Sequence, residues 1–232
     1  MHDPRVIVAL DFASAPEATA FVNTVSPARC RLKVGLELFT AAGPDFVRGL
    51  VTRGFKVFLD LKFHDIPNTV EQTCRQALTL GVDMLTVHCL GGPTMLAAAR
   101  RGVGDGPGRP RVVGVTLLTS HGIEEVRAIG LDEDIEQRTR ALAELAQTAG
   151  LDGIVCAPTE AREMRRRFGP GFLLVTPGIR PAGNAPDDQR RVLTPAEAIA
   201  RGADLLVIGR PITRAADPAA SLAVIEREIG AS

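Results

Sequence analysis

Short apolar runs rich in β-branched residues recur along the chain, separated by longer stretches in which alanine, glutamate, arginine and leucine repeat at helical spacing. The runs are Val6–Phe12, Cys30–Gly35, Phe55–Leu61, Met84–Cys89, Arg111–Leu118, Gly153–Ala157, Phe172–Thr176 and Leu205–Gly209. Proline or a capping hydroxyl marks the helix starts between them, at Ala15-Pro16-Glu17, Gly43-Pro44-Asp45, Ile66-Pro67-Asn68, Gly92-Pro93-Thr94, Pro158-Thr159-Glu160 and Thr194-Pro195-Ala196. Gly54, Gly81, Gly102, Gly150 and Gly202 stand where a left-handed residue would close a helix before the next strand. Strands that are apolar on both faces and always separated by a helix must run parallel, because an antiparallel neighbour would need only a hairpin. Eight such units predict an α/β chain folded as a single-domain (β/α)8 TIM barrel over residues 1–232. The alternative, an open doubly wound sheet, would carry a glycine-rich turn after its first strand, and that turn here reads Asp11-Phe12-Ala13-Ser14-Ala15. No internal repeat beyond the βα unit is expected, and Gly102–Pro110 is too short for an interdomain linker.

Composition narrows the partners. The 27 basic and 27 acidic residues cancel, so no net field favours a polyanion or a membrane surface, and the absence of Trp and Tyr removes the usual stacking platforms for nucleic acid. Any phosphate partner must therefore be small and locally bound. No apolar run approaches the length of a bilayer span, and Met1-His2-Asp3-Pro4-Arg5 has no signal-peptide pattern, so the expectation is a cytoplasmic protein. Cys30, Cys74, Cys89 and Cys156 lie far apart with no CxxC pair, which reads as buried reduced thiols and neither a disulfide frame nor a zinc site.

In a parallel barrel, functional side chains gather where strands end and the following loops begin. Charged residues stand there on four strands: Asp11 after the first, Lys33 on the second, Asp60-Leu61-Lys62-Phe63-His64-Asp65 on and after the third, and Gly209-Arg210 after the eighth. Asp60 and Lys62 are two apart and share one face, toward the barrel mouth. Buried charge needs opposite charge beside it, and Lys33 and Asp65 could supply it, giving an alternating Lys–Asp–Lys–Asp network. The plainer reading makes Asp60 and Lys62 a structural ion pair and Asp65 a helix cap. Four charges converging on one face favour function. Thr176-Pro177-Gly178-Ile179-Arg180 and Ile208-Gly209-Arg210 each pair a glycine with an arginine after the seventh and eighth strands, where such barrels bind phosphate through backbone N–H groups and guanidinium forks. Between them Gly178–Leu193, with Asn184 and Gln189, reads as a lid loop.

These residues resemble the orotidine 5'-phosphate decarboxylase family over nearly the whole chain. The likeness rests on Val8-Ala9-Leu10-Asp11, Lys33-Val34-Gly35, Asp60-Leu61-Lys62-Phe63-His64-Asp65-Ile66-Pro67-Asn68-Thr69, Leu118-Thr119-Ser120, Thr176-Pro177-Gly178-Ile179-Arg180, Gln189 and Gly209-Arg210. DxKxxD alone is shared with sugar-phosphate relatives; the ordered set is specific. The resemblance implies conversion of orotidine 5'-monophosphate to UMP and CO2 in pyrimidine biosynthesis, without a cofactor. It implies Lys62 as proton donor, with Asp60, Lys33 and the partner subunit's Asp65 completing the charged array. It further implies ribose contacts from Asp11 and Lys33, a ribose contact across a homodimer from Thr69, pyrimidine contacts from Thr119 and Ser120, and phosphate contacts from Arg180, Gln189, Gly209 and Arg210. Some relatives add a tyrosine to the phosphate; this chain has none, so that place is unfilled or falls to Gln189 and backbone groups.

His64, His88 and His121 each stand alone near a strand end and are not expected to act directly; His2 is expected to be disordered. Two rival readings remain. A Mg²⁺-dependent sugar-phosphate lyase or decarboxylase on the same barrel would use a second-strand carboxylate, where Lys33 would repel the ion. A non-catalytic phosphate-binding barrel would need the arginines but not the carboxylate–lysine array.

Overall fold

The computed structural model describes residues 3–131, 134–181 and 192–230. Strands β1 (Val6–Ala9), β2 (Arg31–Gly35), β3 (Val57–Phe63), β4 (Met84–His88), β5 (Arg111–Val115), β6 (Gly153–Val155), β7 (Leu173–Thr176) and β8 (Leu205–Ile208) close in chain order into one barrel, β8 pairing back to β1. Every pairing is parallel. Helices α1 (Ala15–Val22), α2 (Leu36–Thr52), α3 (Pro67–Thr79) and α4 (Gly92–Val103) fill the first four crossovers. Two helices, α5 (Ile123–Ala128) and α6 (Ile135–Thr148), share the next. Then come α7 (Ala161–Phe168), α8 (Pro195–Ala200) and, after β8, α9 (Arg210–Thr213) and α10 (Pro218–Gly230). No helix among the described residues is long and apolar enough to cross a membrane.

Alternation along each strand divides the apolar residues between two cores. Val6, Val8, Leu32, Val34, Leu206 and Ile208 point outward to the helices, while Ile7, Ala9, Phe58, Met84, Val113, Val175, Leu205 and Val207 fill the barrel. That double burial is why the strands read as continuous apolar runs. All four cysteines are buried and free.

Charge lines the end of the barrel where the strands begin. Gly-Val-Asp, Gly-Leu-Asp and Gly-Ala-Asp at 81–83, 150–152 and 202–204 stand just before β4, β6 and β8, a small repeat that escapes a reading confined to the βα unit. Each glycine has a positive φ, and each aspartate accepts an arginine: Arg31 and Arg111 on Asp83, Arg109 on Asp152, Arg165 on Asp204. Asp152 and Asp204 also accept the Val112 and Leu174 N–H groups at 2.7 Å, tying neighbouring strands together. Arg31 is fully buried, which is tolerable because Asp3, Asp83 and the Pro4 carbonyl take its donors.

Two helix expectations need correction. Helix α2 starts at Leu36, directly after β2, and Gly43-Pro44 is a kink inside it (Gly43 φ +69°), because proline removes one backbone donor yet tolerates a fresh first turn. Gly102 does not close α4: it lies buried within the helix, and Gly104 (φ +67°) makes the left-handed exit. Gly102 is small because α3 passes close by. A Cβ there would stand 2.5 Å from the Glu71 carbonyl and 2.8 Å from Cys74 Cβ. Gly102→Ala should therefore destabilise by about 1–3 kcal/mol through overpacking. Gly49→Ala, in open space on α2, should instead stabilise by about 0.5–1 kcal/mol through helix propensity. Denaturant midpoints moving in opposite directions would bear this out; a neutral Gly102→Ala would refute the packing argument.

Candidate active site

The barrel opens at the ends of its strands into a cavity of about 540 Å³. Its floor is the inner apolar face, Ala9, Phe58, Val115, Val155 and Val207, and its polar wall carries Asp11, Lys33, Asp60 and Lys62. Thr119, Ser120, Gly178, Arg180, Gly209 and Arg210 line the rest. Asp11, Lys33, Asp60, Lys62, Thr119, Ser120, Arg180, Gly209 and Arg210 are nine of the sequence-predicted site residues, and Gly178 belongs to the first of the two expected Gly/Arg turns.

Asp60 is the hub. Its Oδ1 accepts the Lys62 ammonium at 2.9 Å, and Lys33 Nζ lies 3.5 Å from Oδ2 and 3.4 Å from Asp11 Oδ1. Burial alone would raise the Asp60 pKa; Lys33 and Lys62, with hydrogen bonds from Lys62 and Thr86, reverse that and hold it below the ordinary carboxylate value. Asp60 is therefore ionised at neutral pH. Gly35 leaves room for Lys33, since a Cβ there would lie 3.0 Å from its ammonium.

Lys62 reaches this place through an irregular strand. Asp60 and Lys62 point inward while Leu61 and Phe63 pack outward, so the expected sharing of a face holds. The register does not run evenly: Leu59 pairs with Leu85 but Phe63 with Val87, so four steps of β3 span two of β4. Within this bulge Lys62 takes φ +50°, the one positive φ outside glycine among the described residues. Such a conformation costs about 1–3 kcal/mol and persists only where surroundings enforce it. The Lys62 N–H donates to the Thr86 hydroxyl at 2.8 Å, and Thr86 lies 3.2 Å from Asp60 Oδ1. Sequence reasoning missed Thr86, whose one signal is a hydroxyl at an inward position, two residues after Met84 and two before His88.

Asp65 does not join the network of its own chain. It is exposed on the loop before α3, outside the cavity, and its carboxylate accepts the Ile66 N–H at 2.7 Å; the N-cap of α3 is Ile66, so Asp65 does not cap the helix either. The fourth charge within the chain is Asp11, so the array reads Asp11–Lys33–Asp60–Lys62. Thr69 is likewise exposed on the first turn of α3, outside the cavity. None of the three histidines lines the cavity; His64 and His88 stack with ring centroids 5.6 Å apart. Gln189, Asn184 and His2 lie outside the described residues, as does most of the expected lid. The flanks of that loop are joined, Arg180 N–H donating to the Leu193 carbonyl at 2.9 Å.

The arrangement offers a fixed ammonium beside a carboxylate and two Gly/Arg turns on the lining of one cavity. It can hold an anionic group in the same cavity as a centre where negative charge develops.

Known proteins resemble this chain over nearly its whole length. A chain from Alkalilimnicola ehrlichii named orotidine 5'-phosphate decarboxylase is 54% identical over 231 residues, covering 100% of this chain and 98% of that one. One of the same name from Halorhodospira halophila is 55% identical over 229 residues, covering 99% and 97%. The crystal structure of orotidine 5'-phosphate decarboxylase from Lactobacillus acidophilus superposes with a TM-score of 0.88 at 38% identity, covering 98% of this chain and 99% of that one. A sequence profile of the Orotidine 5'-phosphate decarboxylase / HUMPS family matches residues 4–225, and with that span and those relatives the chain belongs to this family.

Proposed function

We propose that this protein decarboxylates orotidine 5'-monophosphate to UMP and CO2, a step of pyrimidine nucleotide synthesis, in sites shared between two copies of the chain. The observation that carries the reading is the Asp11–Lys33–Asp60–Lys62 array on the wall of a cavity that the Arg180 and Arg210 turns also line.

Breaking the C6–carboxylate bond releases CO2 and leaves an electron pair in the plane of the pyrimidine, where the ring carbonyls cannot delocalise it. Stabilisation must then be electrostatic. The Lys62 ammonium beside C6 attracts the pair as it forms and transfers a proton to it, giving UMP; the resulting amine regains its proton from water. Asp60 keeps Lys62 oriented and, facing the departing carboxylate, disfavours the bound ground state. Asp11 and Lys33 take ribose hydroxyls, Thr119 and Ser120 the pyrimidine, and Arg180, Gly209, Arg210 and Gln189 the phosphate. Phosphate binding energy, remote from C6, would be spent on ordering the charges.

A second copy supplies Asp65 and Thr69. Their exposure on the rim outside their own cavity suits that role, and so does the adjoining apolar side chain of Ile66, 67% exposed.

His88 is a poor rival donor. Burial, helped by His64, Lys62 and His121, pushes its pKa down to about 4, so it is neutral at neutral pH. A group depressed in the folded state binds its proton first in the unfolded chain, whose histidines titrate near 6.5. Stability should accordingly fall on acidification from about pH 6.5 to 4, and His88→Gln should flatten that slope in denaturant midpoints measured across the range; an unchanged slope would exonerate His88.

Purified protein mixed with orotidine 5'-monophosphate should show the absorbance change of UMP formation, undiminished by EDTA; loss of turnover with chelator would favour the metal-dependent lyase class. Lys62→Ala should retain UMP affinity within about tenfold while losing at least about 10³-fold in kcat, the scale of a lost general acid together with a lost preorganised charge. Near-normal turnover would remove Lys62 as donor.

Mixing Asp65→Ala with Lys62→Ala should recover part of the lost activity, because one site of each hybrid dimer carries both wild-type residues. No recovery after demonstrated subunit exchange would refute shared sites.

A further inference from the structure

We infer that Thr86 is a positioning residue for the reacting lysine: its hydroxyl fixes the backbone of Lys62 and the carboxylate of Asp60 in one closed hydrogen-bonded ring. This deepens the decarboxylase reading above and rests on it for its kinetic consequences. Thr86 is fully buried on the inner face of β4, beside the β3 bulge. Its oxygen accepts the Lys62 N–H at 2.8 Å and lies 3.2 Å from Asp60 Oδ1. The directions follow from a proton count. An amide N–H can only donate, so the hydroxyl spends a lone pair on Lys62; an ionised carboxylate can only accept, so the one hydroxyl proton goes to Asp60. Asp60 Oδ1 in turn accepts Lys62 Nζ at 2.9 Å, which closes the ring on the residue where it began.

Both ends of Lys62 are thereby referred to the same carboxylate. The left-handed backbone turns the side chain into the cavity, and without a partner for its N–H that conformation has nothing opposing its relaxation to the ordinary strand region. An inward threonine meets this need where the inner face is otherwise lined by Met84 on β4 and Phe58 on β3. The role is orientation: Thr86 lies behind Asp60 and Lys62 and is not among the residues lining the cavity.

Thr86→Val keeps the branched shape and removes the hydroxyl; Thr86→Ser keeps the hydroxyl. Expected for Thr86→Val is a kcat lowered about 10- to 100-fold with KM and UMP affinity within about threefold of wild type, and for Thr86→Ser a kcat restored to within about threefold. In a crystal structure of Thr86→Val, Lys62 should leave the positive-φ region or its ammonium should part from Asp60. Should Thr86→Val fail to fold, Thr86→Cys, whose thiol is a weak donor of nearly serine's shape, carries the same test with the same expected loss. Full turnover in the hydroxyl-less variant, or Thr86→Ser as slow as Thr86→Val, would overturn the assignment. So would a Thr86→Val structure with Lys62 and Asp60 unmoved. The crystallographic readout does not depend on turnover: if wild-type protein leaves orotidine 5'-monophosphate untouched, the decarboxylase reading fails while the geometry of Lys62 still decides the role of Thr86.

Discussion

Everything at the mouth of this barrel depends on keeping one buried carboxylate ionised. Asp60 is 13% exposed, at the top of an apolar core, where an isolated negative charge would neutralise. Two ammonium groups prevent that, one from the neighbouring strand and one from two residues along its own. The dependence runs both ways, because Lys33, 12% exposed, is equally untenable without Asp60 and Asp11. Lys33 and Asp60 are each other's buried partners, so removing either leaves unpaired buried charge, and the pairs of the array cannot be added up independently.

The fold makes such an array possible at modest cost. Parallel strands present their C-terminal ends at one rim, so β1, β2 and β3 deliver Asp11, Lys33, Asp60 and Lys62 to a single patch although the chain separates them by up to about fifty residues. A regular strand would still have to lift Lys62 clear of the packed barrel. The bulge in β3 does that, and the strain it stores is confined to one residue and opposed by the Thr86 hydroxyl.

Much of this was legible in the amino-acid sequence, for identifiable reasons. All eight strands announced themselves because both faces are buried; their ends were less sharp, Val6–Phe12 against Val6–Ala9 and Arg111–Leu118 against Arg111–Val115, because apolar residues continue past the last ladder bond, Leu10 and Phe12 into the outer core and Leu117 and Leu118 to the cavity, while the third strand runs on from the expected Leu61 to Phe63. Gly102 misled because a glycine near a helix end looks like an exit whether it serves φ or packing, and only the neighbouring helix distinguishes the two. Asp60, Lys62 and Lys33 could be read from charge at inward positions. Asp65 could not be placed by that logic, since its spacing suits the network while its loop carries it to the outer rim. Thr86 was invisible for a different reason: a strand threonine is commonplace, and its importance arises from a register shift in another strand.

The two ends of the barrel spend the same chemistry on opposite ends. Where the strands begin, Arg109 grips Asp152 through two bonds of 2.7 and 2.8 Å, and the same carboxylate also accepts a backbone N–H. These three bonds tie Asp152 to the start of the neighbouring strand. Where the strands end, Lys33 stands 3.4 and 3.5 Å from its two carboxylates, and Asp11 is 59% exposed. Contacts of that length leave Lys33 and Asp11 with donors and lone pairs for a ligand entering the cavity, while the Asp60–Lys62 pair at 2.9 Å stays tight. Ion pairs at one end of the barrel hold the register of its strands, and at the other a tight pair stands beside looser contacts that a ligand can use.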